Sequence, residues 1–87
     1  MSKRAKKLLA VTTGADVAAW LRGSPNAEVR QSCSHVTATC RDTDMRVTVA
    51  DHHRELAPGL RRDIIRAITA SGFLALVVVM AYSQIGV

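Results

Sequence analysis

Residues 35–40 read His-Val-Thr-Ala-Thr-Cys, an alternation with a period of two that marks a strand with one buried face. Val36, Ala38 and Cys40 fall on its apolar side, and His35, Thr37 and Thr39 on the other. A polar turn, Arg41-Asp42-Thr43-Asp44, leads to residues 45–50, where Met45, Val47 and Val49 point inward. Paired residues share a face, so Cys40 must lie opposite Met45 or Val47. A four-residue loop pairs Cys40 with Met45 and sets His35 opposite Ala50; a two-residue loop pairs Cys40 with Val47 and sets His35 opposite His52. In both registers His35 stays off the apolar face.

The flanking segments complete an α+β pattern. Thr13 or Asp16 caps a helix running to about residue 21, with Val17, Trp20 and Leu21 on its inner side. Gly23-Ser24-Pro25-Asn26 ends it, because Pro25 drives Ser24 out of the helical region. Residues 27–31 alternate as a short strand, which Ser32-Cys33-Ser34 interrupts. Residues 51–57 form a polar loop containing His52, His53 and Arg54. Pro58-Gly59 then opens a helix over residues 60–71, with Leu60, Ile64, Ile65 and Ile68 near one face and Arg61, Arg62 and Arg66 on the other. Gly72 is its expected stop.

A chain of 87 residues supports one small domain and excludes a large enzyme with a deep cofactor cleft. Its net charge of +5 and pI near 10.0 favour a polyanionic partner: RNA, DNA or an anionic membrane face. Residues 1–13 carry Lys3, Arg4, Lys6 and Lys7 and read as a basic arm or a short helix, either solubilising or in contact with phosphates. Two cysteines are too few for a disulfide scaffold, and no secretory signal precedes them, so the domain is expected in the cytoplasm. Cys40 is expected in the core and Cys33 as a buried or half-exposed thiol.

Helix, three strands, helix is the order of the double-stranded-RNA-binding-like fold. Within it, Arg30, Gln31, Ser34 and His35 form one element, and Val47, Thr48, Val49, His53, Glu55, Leu56, Pro58, Gly59, Leu60 and Ile64 a second. This stretch, about residues 16–71, resembles the HicA family of toxin–antitoxin mRNA interferases. Cys33 stands where that family usually has Gly, Val36 replaces a common second His, and Ala50 replaces a Pro. The resemblance implies an endoribonuclease that cleaves mRNA without a metal or other cofactor, and a HicB-like antitoxin that blocks it. It also implies a catalytic role for His35, the histidine that follows Ser.

Chemistry points to the same residue. Cleavage of RNA by its own 2′-hydroxyl needs a group that moves a proton near neutral pH and cations that steady the phosphate. His35 is the candidate base or acid, and Ser34 could orient it or the substrate. Arg30, Arg41, Arg46, Arg61 and Arg62 are the candidate phosphate contacts. The plainer readings are a solvated strand histidine and solvated helix arginines. His52 and His53 are assigned to solvent or turn capping, and Asp51 could orient a histidine. No metal site is expected: strand parity separates Cys40 from His35, and neither C-x-x-C nor H-x-x-x-H spacing occurs. A non-catalytic RNA-binding relative is the alternative within this fold.

Residues 67–87 hold no charge, and residues 73–82 are wholly apolar or aromatic. The domain is therefore expected over residues 14–72, followed by a hydrophobic segment, 73–87. That segment reads as an extra strand or helix, buried in a homo-oligomer or against a partner. The alternative is a tail-anchored membrane protein with a basic cytosolic head, using residues 67–87 as the span.

Overall fold

Thr13 and Asp16 share the capping role that either could have filled alone. Asp16 N–H donates to Thr13 Oγ1 at 3.0 Å, and Thr13 N–H donates back to Asp16 Oδ2 at 3.1 Å. This capping box starts α2 (Gly14–Arg22), which follows a first helix, α1 (Lys3–Leu9). Strands β1 (Ala27–Ser32), β2 (His35–Cys40) and β3 (Arg46–Ala50) come next, then α3 (Pro58–Ala70). The strands form one antiparallel sheet in the order β1-β2-β3. The structure, a computed structural model, describes residues 3–74.

The β2–β3 register is that of the four-residue loop. His35 pairs with Ala50 and Thr39 with Arg46, while Cys40 N–H donates to Met45 O at 2.8 Å. Val36, Ala38, Cys40, Val47 and Val49 are buried, and His35 is exposed. Met45 departs from the expected inward position and is 48% exposed. Asp44 takes a left-handed φ of 62°, so the strand alternation starts only after Met45. At the other end, β1 runs on to Ser32, which pairs with His35. Cys33 and Ser34 are thus the whole β1–β2 loop, and Cys33 is exposed rather than buried, with φ 55°.

The inner sheet face meets α2 through Val17, Ala18 and Leu21, and the same core takes in Leu8, Val11, Ile68 and Phe73. Trp20 also belongs to it. Its indole N–H donates to Arg4 O at 2.8 Å, and the Arg4 guanidinium stacks 4.6 Å from the ring centroid. Arg4 also donates to Ser24 Oγ at 2.6 Å and Phe73 O at 3.4 Å. Partial burial lowers the pKa of this guanidinium. Within the expected basic arm, Lys3–Leu9 therefore form a short helix rather than a free arm, and Leu8 and Val11 join this stretch to the domain.

The rotation of α3 corrects the helical pattern read from the sequence. Ile68 is fully buried and Ile64 and Ile65 partly so, but Leu60 is 53% exposed. Arg61 faces inward instead: its Nε donates to Val11 O at 2.7 Å and its terminal nitrogen to Leu9 O. Carbonyls left unpaired where α1 ends need donors, and Arg61 supplies them.

After α3, Ser71 and Gly72 turn the chain, and Phe73, assigned to the hydrophobic segment, is buried in the core. Gly72 has φ 96°, and a β-carbon there would press on the Thr43 methyl at 2.8 Å. Ile68 and Phe73 thus remove residues 67–73 from the membrane span suggested by the sequence. Among the described residues no helix is long and apolar enough to cross a membrane. Residues 75–87, on which the extra strand, the oligomer and the membrane segment chiefly rest, lie outside the described residues.

Candidate functional site

Pairing in the sheet sets out its outer face in three rows. Glu28, Thr39 and Arg46 form one, Arg30, Thr37 and Thr48 the next, and Ser32, His35 and Ala50 the third. None of these residues is a large apolar one, so this face is polar from edge to edge. Thr37 and Thr48 join their hydroxyls at 3.0 Å across the central row. Arg30 lies 3.4 Å from Glu28, an exposed pair whose weak attraction leaves the guanidinium free to take another anion. Arg30 and Arg46 therefore share a solvent face with His35. Arg30 is a diagonal neighbour of His35, about 7–8 Å away between α-carbons.

The edge of the sheet beside β3 opens into a cleft of about 440 Å³. His35, Thr48, His52, Arg54 and Glu55 supply its polar lining, and Val49, Leu56, Leu60 and Ile64 its apolar part. The exposed Leu60 thus has a place in the cleft wall rather than in the core.

The loop that carries His52 is held by backbone pairing to the start of α2. His52 N–H donates to Ala50 O at 3.0 Å, and Ala15 N–H donates to His52 O at 2.8 Å. Leu56 N–H donates to Thr12 O at 2.8 Å, and Thr13 bridges Glu55. Gly14 lies so close to Ala50 that a β-carbon would overlap the Ala50 carbonyl oxygen. Segment 12–15 and segment 52–56 are therefore zipped together.

The remaining candidates are dispersed. Ser34 sits in the exposed β1–β2 loop, its carbonyl accepting Asp51 N–H at 2.6 Å. The Asp51 carboxylate turns to Arg22 at 3.3 Å and so is committed to that cation rather than to a histidine. Arg22 also donates to Gln31 at 2.6 Å. Arg41 lies just past the opposite end of β2 from His35, about 20 Å along the chain direction, with its N–H given to Asn26 O. Arg61 is engaged by the α1 carbonyls, and Arg62 is exposed on α3.

Asp16 is the strongest carboxylate anchor near this region. Hydrogen bonds from Thr12 N–H, the Thr12 hydroxyl and Thr13 N–H hold its pKa below the usual aspartate value. Among the described residues no group of His, Cys, Asp and Glu is arranged to hold a metal ion. His52 and Arg54 were not among the sequence candidates, although they adjoin His53 in one basic run. Their spacing along the chain carried no sign of the pairing to Ala15 that sets them beside His35. No protein-family model matches the chain, and no curated protein or solved structure shows significant similarity to it.

Proposed function

We propose that the chain is a HicA-like ribonuclease with a double-stranded-RNA-binding-like arrangement of α2, β1–β3 and α3. It binds RNA on the outer sheet face and cleaves mRNA with His35, using no metal. Its regulator in this reading is a HicB-like antitoxin that covers the same face. The observation that carries the reading is the placement of His35, Arg30 and Arg46 on one polar, solvent-facing surface. An imidazole, a side chain able to accept or give a proton, shares that face with cations suited to RNA phosphates. Thr37 and Thr48 add hydroxyls able to bond phosphate or ribose oxygens. The positive net charge of the chain favours the same ligand.

The test is induction of wild type and His35→Ala side by side, reading growth and total mRNA integrity. Growth arrest with RNA decay from wild type alone is the expected outcome. Equal toxicity from both proteins, or intact RNA with wild type, rejects cleavage by His35. RNA binding without decay identifies a non-catalytic relative.

A further inference from the structure

His35 and His52 are on different segments, yet both depend on the same residue. His35 is the cross-strand partner of Ala50, and His52 N–H donates to Ala50 O at 3.0 Å. Both residues line one cleft, and neither imidazole has a hydrogen-bond partner among the described residues. We propose that His52 is the second proton-transfer group of this cleft, acting as the acid to the base of His35. The inference rests on the ribonuclease reading above and adds to it a residue that the sequence assigned to solvent.

Cleavage of an RNA strand moves two protons at two places. The 2′-hydroxyl must lose one as its oxygen attacks phosphorus, and the departing 5′-oxygen must gain one. A single imidazole cannot occupy both positions in one step. Here His35 accepts the 2′-hydroxyl proton, the new O2′–P bond forms, and the P–O5′ bond breaks. His52, entering as imidazolium, gives its proton to the 5′-oxygen. The products are a 2′,3′-cyclic phosphate and a free 5′-hydroxyl, and proton exchange with water resets both histidines.

The surroundings suit this division of roles. The other titratable groups lining the cleft are Arg54 and Glu55, and Arg54 supplies a cation for the phosphate. Asp51, next to His52 in the chain, is paired with Arg22. The His52 backbone is clamped at both its N–H and its carbonyl, so the loop presents that residue at a set place on the cleft wall. Val49, Leu56 and Ile64 provide apolar lining that limits water at the reacting phosphate.

The experiment compares purified wild type, His35→Ala and His52→Ala, each checked for native circular dichroism. One substrate is an oligoribonucleotide; the other is a ribonucleoside 3′-(4-nitrophenyl phosphate), whose leaving group departs without a proton. His52→Ala should slow oligonucleotide cleavage by about 100- to 10,000-fold. It should also abolish the fall in rate on the alkaline side of the pH profile, while cleaving the nitrophenyl substrate at close to the wild-type rate. The wild-type product should carry a 2′,3′-cyclic phosphate by mass spectrometry. His52→Ala with wild-type rate and profile, beside an inactive His35→Ala, overturns the role of His52 and leaves the ribonuclease standing. Equal loss on both substrates with an unchanged pH profile overturns it as well, since only structure would then have changed. Wild type without activity on RNA overturns both readings together.

Discussion

The backbone of Gly14 lies against the carbonyl of Ala50 with no space between them for a β-carbon. This approach lets Ala15 N–H reach His52 O and brings the first turn of α2 onto the end of β3. Gly14→Ala forces these two backbones apart. We expect it to destabilise the fold by about 2–4 kcal/mol, read as a lower urea midpoint. A midpoint unchanged from wild type would show that the approach is not required.

The β1–β2 loop holds Cys33 in the left-handed region at φ 55°, where a side chain is strained. Cys33→Gly relieves that strain and should stabilise the protein by about 1 kcal/mol. Chemical denaturation under reducing conditions measures it, and a loss of stability contradicts the assignment of strain.

Arg61 is expected to matter for folding more than for RNA. Arg61→Ala removes the donors that Leu9 and Val11 carbonyls use and should cost about 1–2 kcal/mol. Arg61→Lys should restore little, because one ammonium does not reproduce the two-armed guanidinium contact. RNA affinity of the folded Arg61→Lys protein should stay near wild type in filter binding. A drop in affinity with stability intact would assign Arg61 to the RNA surface instead.

Acid should weaken the start of α2 through Asp16. Three hydrogen bonds to its carboxylate lower its folded pKa, so the stability they provide is complete above the ordinary aspartate range. That stability disappears as pH falls through the lowered value. A urea series from neutral to strongly acidic pH should show a smaller acid-linked loss in Asp16→Asn than in wild type. Parallel curves would exclude Asp16 as a source of the pH dependence.

On the outer sheet face, Arg30→Ala and Arg46→Ala should weaken RNA binding without changing the melting temperature. Each should lower the slope of log affinity against log salt by about 0.7 for single-stranded RNA. Fluorescence anisotropy over a salt series tests this. Unchanged slopes would place the RNA elsewhere on the chain.

The hairpin was legible because strand parity is strict. With Val36, Ala38 and Cys40 on one face, only two registers kept Val47 and Val49 beside them, and His35 was exposed in either. The helical face of α3 was less legible because Leu60 and Arg61 are neighbours and a small rotation exchanges them. Carbonyls at Leu9 and Val11 decide that rotation, and they lie about fifty positions earlier in the chain. Met45 was misassigned for a local reason, the left-handed turn at Asp44, which delays the start of the alternation by one residue. Within the candidate site, parity exposed His35, but no periodic pattern could announce His52. Its place comes from hydrogen bonds to Ala50 and Ala15, contacts that a reading of neighbouring residues does not contain.

The zipper between segments 12–15 and 52–56 also gives the cleft a cooperative character. Thr12, Ala15, His52 and Leu56 exchange backbone hydrogen bonds across it, so opening the cleft wall is coupled to fraying of the helix behind it. A ligand that bulges this wall must unwind the beginning of α2, while one that leaves it in place meets a rigid surface. Such a wall acts as a strap fastened at both ends, and the freedom needed to admit a long RNA strand has to come from the open side of the sheet.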